Sequence, residues 1–297
     1  MNLDEYVKKE LYNKNFKINL EDITNYINNN KKIIVTKFGD GEYFCMNRDI
    51  FPFMYENCDG DKFSNLLVDE LKKAFIELCN DSVNDNIYLG KWCNNSGNKD
   101  KENVCKYMIS LLYNYNINNN KPLISIPYIY YDILTLNQNF NNNSNSEYNC
   151  TNIELYNFVK SIQNSNKKKI IITCKKNYNH KKIFKGDFFI EIPENSWYYN
   201  GYFNILIDNI EKIINDNKCY DCIILISAGL ASKIVINDLR KKYNNITFLD
   251  IGSGFDYLSQ GIITRGDDNF YKFNYNDLYN YFKDLLGDNY TTPFNPS

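Results

Sequence analysis

Short apolar runs rich in isoleucine and valine recur along the chain, and each is followed by a longer stretch with helical spacing. Parallel strands must be joined by crossover connections, which are usually helices. The alternation therefore predicts an α/β fold with a largely parallel sheet and helices on both faces. We expect strands at Lys32–Phe38, Asn86–Gly90, Pro122–Ile126, Lys169–Cys174, Asp187–Ile192, Cys222–Ser227 and Ile246–Ile251.

The stretches between these runs place apolar residues three and four positions apart. In the first of them we expect Leu66, Leu67, Leu71, Phe75 and Leu78 to share one face, and charged residues occupy the other. We expect helices at Phe63–Leu78, Lys101–Tyr113, Ile153–Gln163, Phe203–Asn215, Ala231–Tyr243, Leu20–Asn29 and Asp277–Leu286. The sequence predicts one domain over residues 1–297, in which the Asn-rich segment 137–149 is a flexible joint or a long surface loop.

Charge and composition exclude several function classes. The 297 residues include 34 basic and 36 acidic side chains, which argues against a protein that binds nucleic acid mainly by electrostatics. The start of the chain resembles no signal peptide, and nowhere do about 18 apolar residues run together, so we expect no membrane span. Nine scattered cysteines fit reduced thiols. We therefore expect a cytoplasmic protein, in the host cytoplasm if the chain is viral.

The sharpest local pattern follows the first long apolar run, where Gly39-Asp40-Gly41-Glu42 comes directly after a predicted strand. Ligands of open α/β sheets bind at the carboxyl ends of strands, and two glycines permit a tight turn with close ligand approach. Carboxylates such as Asp40 and Glu42 suit Mg²⁺ or Mn²⁺, with phosphate and water completing the coordination. The alternative is a plain turn whose acidic residues cap the next helix.

Two later turns also follow apolar strands. Ser227-Ala228-Gly229 precedes a predicted helix, so free main-chain N–H groups there could bind a diphosphate, or Ser227 could simply cap the helix. Asp250-Ile251-Gly252-Ser253-Gly254 looks like the first motif of S-adenosylmethionine methyltransferases. In that family most of the catalytic domain follows this motif, whereas here little of the chain remains. A turn that places an acid beside a bound nucleotide is the more economical interpretation.

In this order along the chain, the three stretches resemble the GT-D type glycosyltransferases. That resemblance implies a Rossmann-like α/β fold and an Asp-X-Glu motif, Asp40 and Glu42 here, which engages Mn²⁺ or Mg²⁺ and the diphosphate of a nucleotide sugar, with a UDP-sugar as the expected donor. It also implies a glycan or glycoprotein acceptor. The donor would lie near residues at the three turns: Lys37, Gly39, Gly41, Ser227, Ala228, Gly229, Asp250, Gly252 and Ser253. The family commonly has Arg where this chain has Lys37, and lysine lacks the bidentate phosphate fork.

Other interpretations stay open from the sequence. An inverting enzyme needs a general base, for which Asp256, Asp250 and Glu194 are candidates, and Asp256 is our choice as a catalytic residue. The rival functions are an S-adenosylmethionine methyltransferase and a non-catalytic nucleotide-binding module. We expect His180 in a solvated loop, and we expect Trp197 to pack in the core or to line the acceptor side.

Overall fold

The computed structural model describes residues 1–12, 17–48, 62–91, 99–126, 128–130, 152–252, 254–260 and 282–287. In these parts of the chain eight strands form one sheet, and every neighbouring pair runs parallel. The strands are β1 (Lys17–Ile18), β2 (Ile34–Phe38), β3 (Ile87–Lys91), β4 (Tyr128–Tyr130), β5 (Lys169–Cys174), β6 (Phe188–Ile192), β7 (Ile223–Ser227) and β8 (Thr247–Asp250). The order across the sheet is β1-β4-β3-β2-β8-β7-β5-β6.

The helices occupy the stretches between the strands, as the apolar spacing predicts. They are α1 (Leu3–Leu11), α2 (Leu20–Asn28), α3 (Asp40–Met46), α4 (Asn65–Asn80), α5 (Ser82–Asp85), α6 (Lys99–Asn118), α7 (Asn152–Asn164), α8 (His180–Ile183), α9 (Phe203–Asp216), α10 (Ser232–Lys242) and α11 (Asp256–Gln260). Residues 282–286 are also helical, and the rest of the predicted helix Asp277–Leu286 lies outside the described residues. Among the described helices, none is both long and apolar enough to cross a membrane.

Most predicted strands are confirmed to within a few residues, but the prediction of a strand at Pro122–Ile126 is wrong. This segment contacts α1 instead of pairing with the sheet. Tyr6 Oη donates to the Ile124 carbonyl at 2.7 Å, and the Ile126 amide donates to Glu10 Oε2 at 3.0 Å. Side chains of α1 supply these hydrogen-bond partners, so the backbone of this segment does not pair with a neighbouring strand. The strand begins further along the chain, at β4.

Alternate residues of the central strands point into two separate apolar layers. Ile34 and Phe38 pack with buried residues of α4, α9 and α10, while Ile33 and Val35 pack with those of α2 and α7. Each fully buried side chain of this kind contributes roughly 1.5–3 kcal/mol. The sheet is therefore covered on both faces, which confirms the predicted fold class. The segment 137–149 lies outside the described residues, and the single-domain assignment stays a prediction.

Candidate functional site

A crevice site is expected where neighbouring strands of a parallel sheet send the chain to opposite faces. The central neighbours β2 and β8 do this. The chain leaves β2 through α3 and α4, whose buried residues belong to one apolar layer, and leaves β8 through Phe255 and Leu258, which belong to the other. Since β7 is the next strand beyond β8, the turns after β2, β7 and β8 all end at one edge, as the sequence predicts.

The turn after β2 leads directly into α3, which begins at Asp40 with Gly39 as its N-cap. Glu42 Oε2 accepts a hydrogen bond from the Gly39 main-chain N–H at 2.7 Å. Glu42 therefore caps the start of α3, which is one of the roles that the sequence left open. The side chain of Asp40 is not among the described parts of the chain, so only its place at the first position of α3 is known.

Lys233 joins two of the turns. Its ammonium lies 2.7 Å from Glu42 Oε1 and 3.1 Å from Asp250 Oδ2, and it donates to the Gly229 carbonyl at 3.3 Å. Only 5% of Lys233 is exposed. Burial would lower the pKa of Lys233, but Asp250 and Glu42 outweigh that effect and raise the pKa above its ordinary value. Lys233 is therefore a permanent buried cation at this edge.

Asp250 holds β8 and β2 together from the same position. Its Oδ2 accepts from the main-chain N–H of Lys37 at 3.1 Å, in addition to Lys233. The acid is 1% exposed, so both contacts lie away from water. Hydrogen bonds to a buried carboxylate are among the stronger ones in proteins, and this acid therefore fixes the relative positions of the central strands.

The Lys37 side chain occupies a narrow space between two glycines. Its Nζ donates to the Ile251 carbonyl at 3.2 Å. A Cβ placed on Gly90 would lie 3.0 Å from Lys37 Cγ, and one on Gly252 would lie 2.9 Å from Lys37 Nζ. Gly252 also has a φ of +49°, which L side chains rarely adopt. The two glycines therefore leave the room in which this lysine reaches the edge of the sheet.

The turn after β7 is fixed to its neighbours on two sides. Ser227 Oγ donates to the Gly252 carbonyl at 2.6 Å, and the Trp197 indole N–H donates to the Ala228 carbonyl at 2.9 Å. Trp197 is 3% exposed, so it packs in the core, which is one of the two alternatives that the sequence left open. Ser227 does not make a side-chain cap on α10, since its hydroxyl bonds to the turn after β8 instead.

A second polar cluster surrounds Asp256, the predicted general base. Asp256 Oδ1 accepts from Asn177 Nδ2 at 3.0 Å and lies 3.8 Å from His180 Nε2. The prediction of a solvated His180 is wrong, because the ring is fully buried and packs beside Phe184. Burial lowers the pKa of His180 to about 4, so the imidazole is neutral at pH 7.

The metal prediction can be tested only against the described carboxylates. Both oxygens of Glu42 are engaged, one by Gly39 and one by Lys233, and Asp250 Oδ2 is engaged by Lys37 and Lys233. Over the residues that the structure describes, no three His, Cys, Asp or Glu side chains are grouped so as to hold a metal ion. In this arrangement an ammonium and main-chain N–H groups contact these oxygens, and the assignment of Asp40 and Glu42 as metal ligands stays a prediction.

The structure thus brings together much of what the sequence marks as a donor site: Lys37, Gly39, Gly41, Glu42, Ser227, Ala228, Gly229, Asp250 and Gly252. Ser253 lies outside the described residues. Sequence reasoning missed Lys233, whose signal was a lysine in the first turn of the helix after a buried strand. Asp256 belongs to the separate cluster with Asn177.

Comparison with known proteins gives a likeness of fold. No family model matches the chain, and no curated protein sequence matches it. A solved structure of domain of unknown function 1792, described as having a distinct glycosyltransferase fold, is 15% identical with a TM-score of 0.53, covering 91% of this chain and 93% of that one. A structure from Streptococcus sanguinis, described as a new glycosyltransferase, is 13% identical with a TM-score of 0.51, covering 89% of this chain and 96% of that one. The chain therefore shares its Rossmann-like α/β fold with domains described as glycosyltransferases.

Proposed function

We propose that the protein is a glycosyltransferase that moves a sugar from a nucleotide diphosphate donor to an acceptor. The observation that carries the proposal is the meeting of three turns at the central crevice, tied together by Lys233 through Glu42 at 2.7 Å and Asp250 at 3.1 Å. The likeness of fold to domains described as glycosyltransferases supports it over nine tenths of the chain.

The charges at the edge suit an anionic donor. Lys37 and Lys233 formally balance Glu42 and Asp250, which leaves Asp40 as the one further acid of the site, and its charge would be offset by the metal that we propose there. The turn after β7 leads through Gly229 into α10, and the start of a helix is a favourable place for a phosphate. A UDP-sugar is the donor that we propose first.

The buried ion cluster would act as a positioning device. Charges that are fixed before the donor arrives need no reorganisation during the reaction, which is the main source of electrostatic catalysis. Lys233 holds Glu42, and Glu42 holds the Gly39 amide at the start of α3. These two contacts would set the direction of α3. They would therefore also set the position of Asp40, the first residue of that helix.

Metal dependence is a further part of the proposal and rests on Asp40. A bound Mn²⁺ or Mg²⁺ would supply charge neutralisation for the departing nucleotide diphosphate. We propose Asp40 as its carboxylate, and we propose Glu42 as the residue that orients α3. Among the candidate bases, Asp250 is committed to Lys37 and Lys233, which leaves Asp256 and Glu194 to accept a proton from the acceptor.

Calorimetric titration with UDP and UDP-sugars, with and without Mn²⁺, tests the proposal in four proteins. We expect metal-dependent binding in the wild type, and Asp40→Asn should weaken it by roughly 10- to 100-fold, the loss typical of disturbed metal support. Glu42→Gln should lose stability, by about 1–2 kcal/mol, while the remaining nucleotide binding still depends on Mn²⁺. Asp221→Asn is the matched control, since Asp221 is exposed just before β7, at the opposite edge.

Two results would contradict the proposal. Absence of UDP-sugar binding and hydrolysis, together with S-adenosylmethionine binding that Asp250→Ala abolishes, would favour a methyltransferase. Binding of a nucleotide without any sugar turnover would favour a non-catalytic module. Metal-independent UDP-sugar turnover would leave the transferase standing and remove only the role of Asp40 as a metal ligand.

A further inference from the structure

A groove of about 300 Å³ opens between α4, α9 and α10, on the face of the sheet that these helices cover. That volume is at the lower end of the roughly 300–1,000 Å³ of small-molecule sites. Its walls come from α4, from the turn at Tyr198 and Gly201, from the start of α9 and from the middle of α10. None of the contacts described so far for the proposed donor site involves the interior of this groove.

The lining of the groove combines aromatic surface with polar groups. Tyr198 and Phe203 supply the aromatic faces, whose rings lie 5.3 Å apart, and Asn204 at the start of α9 is exposed to solvent. Burial, together with the charge of Glu70, raises the pKa of Tyr198 to about 12, so its hydroxyl keeps its proton and can donate a hydrogen bond.

The charged residues of the groove are already paired with one another or with close neighbours. Lys73 lies 3.2 Å from Glu70, and Asp238 lies 3.5 Å from Lys242. Lys241 bonds to Glu77 on α4. The charged residues that line the groove are two lysines and two acids, Lys73, Lys241, Glu70 and Asp238, so an ionic ligand gains no net attraction there, whereas a neutral polar ligand can bond to both kinds of group. The wall therefore favours a neutral ligand with many hydroxyl groups.

Two walls of the groove continue directly into the donor side. Ile234 of the groove follows Lys233, which binds Glu42 and Asp250. Tyr198 follows Trp197, whose indole N–H bonds to the Ala228 carbonyl in the turn after β7. A ligand in the groove would thus lie against the same two segments that border the proposed diphosphate site.

We infer that this groove is the acceptor subsite, and that the acceptor is a neutral saccharide. The inference rests on the proposed function, because it takes the crevice to be the donor site. The hydroxyl to be glycosylated would point from the groove toward the crevice, and the aromatic side chains would carry the apolar face of the sugar ring.

Saturation-transfer NMR on the full chain, without donor, tests the inference directly. The probes are methyl glycosides of glucose, galactose and N-acetylglucosamine, with their disaccharides. Asn204→Trp fills the groove from an exposed helix position, and Asn209→Trp is the matched control, an exposed residue on the same helix that does not line the groove. We expect at least one probe to bind the wild type and the control alike, and Asn204→Trp to weaken binding by about 10-fold or more.

A second readout separates this inference from the proposed function. With a probe that binds and a UDP-sugar, Asn204→Trp should raise the acceptor KM and leave hydrolysis of the donor by water unchanged. Equal saccharide binding in Asn204→Trp and the control would overturn the groove assignment, as would binding of none of the probes while UDP still binds. Groove-dependent saccharide binding without any UDP binding would leave this site standing and overturn the proposed transferase.

Discussion

The two ends of α10 each carry a buried cation that grips two carboxylates, yet the two clusters differ in what surrounds them. Lys233 at the first end is 6% exposed in its side chain, and its partners Glu42 and Asp250 are 7% and 2% exposed. Arg240 at the other end is 2% exposed, but its partners Asp81 and Asp85 are 50% and 36% exposed. All three side chains of the first cluster are buried, whereas both acids of the second are exposed to water.

The difference in exposure indicates different roles for the Lys233 cluster and the Arg240 cluster. Arg240 bonds to Asp81 at 2.7 Å and Asp85 at 3.0 Å, beside the start of β3, and so fixes α10 to its neighbours at the amino edge. Half-exposed acids remain solvated if their partner is lost. A fully buried ion set gains little net stability over apolar packing, since its desolvation is costly. The Lys233 cluster is therefore better explained by the geometry that it imposes on the crevice than by stability.

The largest effect that we expect comes from Lys233→Met. This change leaves Glu42 and Asp250 buried without their cation, so the free energy of unfolding should fall by about 3–5 kcal/mol. Urea denaturation measures the loss. The triple variant Glu42→Gln, Lys233→Met, Asp250→Asn removes the charges together and should recover most of the stability but none of the nucleotide binding. A loss under 1 kcal/mol for Lys233→Met alone would mean that the acids reach water.

The second prediction concerns His180, a buried base whose ring nitrogens make no side-chain hydrogen bond among the described residues and which lies 3.8 Å from Asp256. Its pKa is about 4 in the folded protein and 6.5 as the ordinary value, so the unfolded chain binds more protons between these limits. Stability should therefore fall as the pH drops from 6.5 to 4, by up to about 3 kcal/mol, and level off below.

His180→Leu checks this prediction through the slope of stability against pH. Between pH 6.5 and 4 we expect the stability of the variant to depend less on pH than that of the wild type, because the contribution of His180 is lost. The contributions of other titrating groups should be unchanged. Thermal melts over that range for both proteins give the difference. Identical slopes would show that His180 holds its proton when buried, as Lys233 does.

The smallest effect is expected from Arg240→Met. Asp81 and Asp85 can turn to solvent when the guanidinium is lost, so the unfolding free energy should drop by about 1–2 kcal/mol, close to the loss of hydrogen bonds to charged groups. Nucleotide affinity should stay at the wild-type value, because the cluster lies at the edge away from the crevice. A drop in affinity equal to that of Lys233→Met would erase the distinction between the two ends of α10.

The sequence was sufficient for the elements whose pattern is local. β5 and α9 match their predicted ranges to within a residue, because a short continuous apolar run and helical spacing report on each element independently of its partners. The edge at which Gly39, Ser227 and Asp250 meet was also predictable, since parallel strands all end on the same side. The segment Pro122–Ile126 was not, because its apolar residues serve contacts with α1, which no local pattern reveals.

The pairings inside the site depend on contacts between distant residues. From the sequence, Glu42 can be interpreted as a metal ligand or as a helix cap. The contact of its second oxygen with Lys233, which is far along the chain, appears only in the structure. Likewise, a histidine among lysines reads as exposed, yet His180 sits at the start of a short helix that turns it beneath Phe255. Charge partners and burial of single polar residues are tertiary facts, and composition does not encode them.

The central pairing of β2 with β8 also bears on how the protein folds. Asp250 and the Lys37 amide that bonds to it are 213 residues apart in the chain. Strands β2, β3 and β4 can pair with one another early, as can β5, β6 and β7, since each set is closer in sequence. The two halves of the sheet are joined by β8, whose docking closes the longest loop and meets the largest entropic barrier. We therefore expect the crevice to be assembled late in folding, and a chain that has not yet added β8 would hold two half-sheets whose turns do not meet.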